Sequence, residues 1–138
     1  MEGTMFSNIL LAYDGTPASD LAFERAMEVA RLAHAPIHVV AVAWSPEVET
    51  HASLDKIRVR CWTYLTELRK RGADPQVDLE MEVVEGSCSE QIIAAADRLG
   101  ADLIVMGHRK RTLLSRLAEG SLAKRVIDHA HCCVLVAG

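Results

Sequence analysis

Apolar positions along this chain come either in short runs or in helical stripes, and the two patterns alternate. "NILLAY" (Asn8 to Tyr13) is an apolar run closed by Asp14-Gly15, as in a buried strand that ends in a turn. Thr16-Pro17 then supplies a helix cap and a favoured first-turn proline. Leu21, Ala22, Ala26, Val29, Ala30 and Ala33 recur at helical spacing, and Pro36 ends the connection that follows. "IHVVAVAW" (Ile37 to Trp44) predicts a second buried strand, and the polar "SPEVETHA" predicts a loop. Leu54, Ile57, Cys61, Leu65 and Leu68 line one face of a second helix, which "RGADP" should stop.

The next strand is different. In "QVDLEMEVVEG" the apolar residues alternate at Val77, Leu79, Met81 and Val83, which predicts a strand with one wet face near a sheet edge. Ser87 and Glu90 stand in capping-box positions, ahead of a stripe of Ile92, Ile93, Ala96 and Leu99 that Gly100 terminates. "LIVM" (Leu103 to Met106) is a fourth buried strand. A helix is expected from about Ser121 to Ala130, and "CVLVA" (Cys133 to Ala137) is a fifth strand.

Apolar strands joined by amphipathic helices predict a parallel sheet covered on both faces. Right-handed crossovers make it a doubly wound α/β fold, with five strands in the order 3-2-1-4-5 and helices on both faces. No repeat, low-complexity segment or linker interrupts the 138 residues, so residues 1–138 are expected to form one domain. Half the residues are hydrophobic and only 4% are aromatic, so the core must be built of Ala, Val, Leu and Ile. The net charge of −4 gives no overall attraction to nucleic acid or an anionic membrane. No apolar run approaches the ~20 residues that span a bilayer, and the first residues do not read as a signal peptide, so a cytoplasmic location is expected. The four cysteines are expected to be reduced thiols.

Ligands of doubly wound sheets bind outside the carboxyl ends of the strands, where the strand order reverses. That singles out Asp14, Val42 to Trp44, and the segment from Gly107. The two common nucleotide signatures, G-x-x-x-x-G-K-[ST] and G-x-G-x-x-G after a strand, are both absent. The segment "VMGHRKRTLLSRLAEGSLAKRV" (Val105 to Val126) instead has Gly107 at its start and Gly120-Ser121 at a helix start. A glycine there lets backbone approach an anion, and the free N–H groups favour a phosphate. The same residues also suit a plain turn with Ser121 as an N-cap. His108, Arg109, Lys110, Arg111, Arg116, Lys124 and Arg125 make this region basic.

Three stretches, "NILLAYDGTPASDLAFERA", "GSCSEQIIAAADRLGADLIVMG" and "CVLVAG", resemble the universal stress protein family, and the likeness covers essentially the whole chain. The family's nucleotide-binding branch has G-x2-G-x9-G-[ST] after its fourth strand. Gly107 matches the first glycine and Gly120-Ser121 the last pair, but Lys110 stands in place of the second glycine. Lys110 could obstruct a phosphate or neutralise it. The resemblance implies binding of ATP or another adenine nucleotide, with or without Mg2+. Asp14 would lie near the adenosine, beside Ala12 and Tyr13. Val42 would contact adenine and Met106 would line the pocket. Gly107, Arg109, Lys110, Gly120, Ser121 and Leu122 would surround the ribose and phosphates. It also implies a homodimer joined through the strand Cys133–Ala137.

"DHAHCC" (Asp128 to Cys133) offers His and Cys ligands, but adjacent cysteines entering a strand face opposite ways and share one ion poorly. No catalytic triad or Cys/His pair is supported by spacing, so a sensor or regulator is expected and at most slow hydrolysis.

Overall fold

The computed structural model describes residues 5–44, 51–108 and 122–138. The elements run β1 (Ile9–Ala12), α1 (Pro17–Ala33), β2 (Ile37–Ala43), α2 (His51–Gly72), β3 (Leu79–Glu85), α3 (Cys88–Leu99), β4 (Leu103–Gly107), α4 (Leu122–His129) and β5 (Cys133–Ala137). The strands form one sheet in the order β3-β2-β1-β4-β5, and every neighbouring pair is parallel. This is the doubly wound sheet and strand order expected from the sequence.

β1 lies at the centre, paired with β2 on one side and β4 on the other. Its successive side chains point to opposite faces, and both faces are covered. Leu11 joins Ala22, Ala26 and Leu65 in the core beneath α1 and α2, while Leu10 joins Ile92, Ala96 and Val126 beneath α3 and α4. Both leucines are fully excluded from solvent. Burial of a leucine side chain is worth about 1.5–3 kcal/mol, so a strand buried on both faces anchors both layers.

The helix ends follow local chemistry. Thr16 caps α1 by accepting from Ser19 N at 3.3 Å, and Pro17 stands in the first turn. Gly100 closes α3 in the left-handed region at φ 65, as its position predicted. Ser87 does occupy the N-cap position of α3, but its side chain makes no cap hydrogen bond, so the expected capping box is not formed.

Two boundaries also differ from the sequence reading. α2 begins at His51, two residues inside the expected loop, and ends at Gly72, within the expected stop. Tertiary packing accounts for Gly72: a Cβ there would lie 2.3 Å from the Phe23 ring, so the glycine lets α1 and α2 come together. β3 lies at the sheet edge as its alternation predicted, but its second face is not simply wet. Val84 packs against the core under α3, and Glu82 accepts from Arg98 of α3 and lies 3.5 Å from His38 Nε2.

Gly107 pairs with Ala137 as the last residue of β4, so the loop starts one residue later than expected. Its bareness is required here by packing. A Cβ would lie 2.5 Å from the backbone carbonyl carbon and oxygen of Ala18, and 2.9 Å from Ser19 N. The end of β4 therefore rests directly on the first turn of α1. Gly107→Ala should force the two backbones apart and lower the unfolding free energy by about 1–3 kcal/mol in urea denaturation, the usual cost of overpacking.

Candidate functional site

The chain leaves β1 toward β2 and β3 on one side, then crosses through α3 to β4 and β5 on the other. The strand order thus reverses between β1 and β4, and in doubly wound sheets ligands bind beyond the carboxyl ends of the strands at such a reversal. Ala12 ends β1, and Tyr13 and Asp14 follow it. Val42 stands near the end of β2, and Met106-Gly107 ends β4. Met106 is buried in the core beneath α3 and α4, and Ala12, Val42 and Leu122 pack against that same core. These four residues therefore share one side of the sheet at its carboxyl edge.

Tyr13 faces the other way. It is buried beneath α1 and α2, and its hydroxyl donates to Asp20 Oδ1 at 2.5 Å while accepting from Arg71 Nη2 at 3.1 Å. Arg71 also reaches Asp20 Oδ1 at 3.2 Å, so the end of β1, the first turn of α1 and the last turn of α2 are tied together. Burial first, and the Asp20 carboxylate second, push the Tyr13 phenol up to about 12, with Arg71 opposing. The Tyr13 side chain is thus committed to this network, away from the side shared by Ala12, Val42 and Met106.

Asp14 is exposed just beyond the carboxyl end of β1. Its Oδ1 accepts from Thr16 N at 3.1 Å and from Thr16 Oγ1 at 2.5 Å, and its own N–H donates to Ser19 Oγ at 3.4 Å. The carboxylate is therefore oriented by the turn that leads into α1. Gly15 takes φ 77 in that turn, and the Tyr64 ring of α2 lies against it. Tyr64 also meets Tyr13 edge-on, with ring centroids 5.5 Å apart, and its hydroxyl donates to Cys61 Sγ at 3.2 Å. Burial, then the Cys61 thiol, push the Tyr64 phenol well above its ordinary range.

On the far side, His108 N donates to Ala137 O at 2.8 Å, so the start of the loop is tied to the end of β5. Arg109, Lys110, Gly120 and Ser121 lie outside the described residues, as do Arg111 and Arg116. Of the remaining basic residues, Lys124 pairs with Asp128 of its own helix at 2.8 Å, and that contact holds the Asp128 carboxyl below the usual range. Cys132 packs against the core beneath α3 and α4 while Cys133 is exposed, and burial pushes the Cys132 thiol up. No group of three or more His, Cys, Asp or Glu side chains that could hold a metal occurs among the described residues. No helix among them is long and apolar enough to cross a membrane.

The sequence reading missed Tyr64, Asp20 and Arg71. Tyr64 did carry a signal, because it lies one turn after Cys61 on the edge of the apolar stripe of α2. Asp20 and Arg71 are 51 residues apart and carry no local signal of their meeting.

The sequence profile of the universal stress protein family matches residues 5–138. A universal stress protein of Methanocaldococcus jannaschii is 31% identical over 139 residues, covering 96% of this chain and 82% of that protein. Among solved structures, the universal stress protein UspA of Lactobacillus plantarum is similar over 96% of this chain and 97% of that one, with 26% identity and a TM-score of 0.79. A universal stress protein in complex with cAMP matches over 96% of this chain and 97% of that one, with 23% identity and a TM-score of 0.76. One from Archaeoglobus fulgidus in complex with dAMP matches over 97% and 99%, with 21% identity and a TM-score of 0.65.

The buried phenol makes a test of the network at the end of β1. Because the folded state holds the Tyr13 proton more tightly than the unfolded state, the neutral phenol contributes fully below pH ~10 and is lost as pH rises toward ~12. Urea denaturation should therefore show wild type more stable than Tyr13→Phe at neutral pH, with the gap narrowing across that window. A gap independent of pH would contradict the network.

Proposed function

The chain belongs to the universal stress protein family, and on that premise we propose that it binds an adenine nucleotide, ATP or a close relative with or without Mg2+, as a cytoplasmic sensor or regulator. The reading is carried by the strand reversal, where Ala12, Val42, Met106 and Leu122 share one apolar side at the carboxyl edge of the sheet and Asp14 is exposed just beyond β1. An apolar wall suits a purine ring, and a carboxylate suits a ribose hydroxyl. The complexes of similar folds with cAMP and dAMP support an adenine ligand. In this proposal Gly107, Arg109, Lys110, Gly120 and Ser121 hold the ribose and phosphates, and Lys110 acts as a cation in place of the second glycine of the family's loop. Tyr13 contributes its backbone, since its side chain is held by Asp20 and Arg71. In this proposal the protein works through binding and association, with at most slow hydrolysis of the nucleotide.

We further propose a homodimer formed through β5. Among the described residues the strand pairs with β4 on one side only, which puts its other edge at the margin of the sheet, and Val136 on it is 38% exposed.

Protein purified without added nucleotide and then denatured should release an adenine nucleotide detectable by chromatography, and calorimetry with ATP and magnesium should show saturable binding. Gly120→Val should abolish both. Wild-type protein that releases nothing and shows no heat overturns the nucleotide reading, and favours a nucleotide-free interaction protein with a degenerate loop.

Sedimentation should give a dimer for wild type and a shift toward monomer for Val136→Lys, because a charge on an edge strand opposes pairing. A monomeric wild type overturns the proposed assembly.

A further inference from the structure

We propose that Tyr64 is a positioning residue of the nucleotide site: its ring buttresses the Asp14-Gly15 turn from α2 and so aims the Asp14 carboxylate at the ribose. The inference rests on the nucleotide reading above and extends it to a residue on a helix that otherwise packs behind the sheet.

The phenol is fixed at both ends. Its hydroxyl donates to Cys61 Sγ at 3.2 Å, one turn earlier on α2. Its ring meets the buried Tyr13 ring at 5.5 Å with an interplanar angle of 66°. It then fills the space that any side chain at position 15 would need: a Cβ there would lie 3.0 Å from Tyr64 Cδ2 and 3.2 Å from Cγ. Gly15 is also the residue whose φ of 77 disfavours a side chain, so backbone conformation and packing impose the same choice.

The turn is thereby clamped from two sides. From α1, Ser19 Oγ accepts the Asp14 N–H, and Thr16 donates twice to Asp14 Oδ1. From α2, Tyr64 closes the space behind Gly15. These contacts orient the carboxylate relative to the first turn of α1. Neither clamp alone determines the turn: Thr16 and Ser19 fix the carboxylate relative to α1, and Tyr64 fixes the backbone of the turn relative to α2.

A role in packing alone would weaken every ligand equally, whereas a role in aiming Asp14 depends on the ribose hydroxyls. Calorimetry should compare ATP with 2′,3′-dideoxy-ATP for wild type, Tyr64→Leu, Tyr64→Phe and Gly15→Ala, with folding checked by circular dichroism. Wild type should prefer ATP. Tyr64→Leu should lose affinity for ATP on the order of tenfold, as expected for one hydrogen bond to a charged group, and little for the dideoxy compound. Tyr64→Phe keeps the ring and should stay within about twofold of wild type for both ligands, a small fraction of the worth of one hydrogen bond. Gly15→Ala pushes on the same contact from the other side and should repeat the selective loss even if Tyr64→Leu proves unstable. Equal losses for both ligands, or no loss for either, overturn the inference while leaving nucleotide binding in place. A wild type that binds neither compound removes the nucleotide reading and the role of Tyr64 together.

Discussion

The structure depends on a central strand that must be apolar on both faces. β1 has a hydrogen-bonded neighbour on each edge and a helical layer on each side, so none of its side chains from Ile9 to Leu11 meets water. A strand in that position determines what can surround it. Parallel neighbours need crossovers, the crossovers become helices, and the helices must cover both faces because both are apolar. The same strand is where the strand order reverses across the sheet, so the element that organises the core also marks the place where ligands of such sheets bind.

The carboxyl end of β1 is correspondingly crowded. Tyr13 is drawn under α1 and α2 by burial and by Asp20 and Arg71, while the next residue emerges at the surface. Successive residues of an extended chain point oppositely, and here that alternation separates an anchor from a candidate ligand group. Two glycines permit the crowding for different reasons. Gly15 supplies a left-handed turn beneath an aromatic ring, and Gly107 removes a side chain where β4 meets the backbone of α1. Gly107 belongs to the family's loop motif, yet in this structure it has a packing duty at the strand end that would hold without any ligand.

Much of the architecture was legible because its causes are local. Runs of apolar residues marked four strands and strict alternation marked β3, and Thr16-Pro17 and Gly100 marked helix ends through their own conformations. The misreadings fall where a distant residue decides. Glu82 looked solvated and instead meets Arg98 and His38. Ser87 had the right spacing for a capping box but makes no such bond. Of the candidate positions, Asp14 and Val42 follow from topology and Met106 from the family resemblance, while the network of Asp20, Tyr64 and Arg71 around them needed the fold.

The sequence by itself determined the alternation of strand and helix and the burial of both sheet faces. These follow from periodicity and from the backbone freedom of single residues, which are properties of neighbours along the chain. Only the tertiary structure decided that Tyr13 turns inward, that Tyr64 closes on Gly15 and that Gly107 rests on Ala18. Each of these is a contact between segments far apart in the chain, and close packing, which admits one arrangement of side chains where local pattern admits several, selects them.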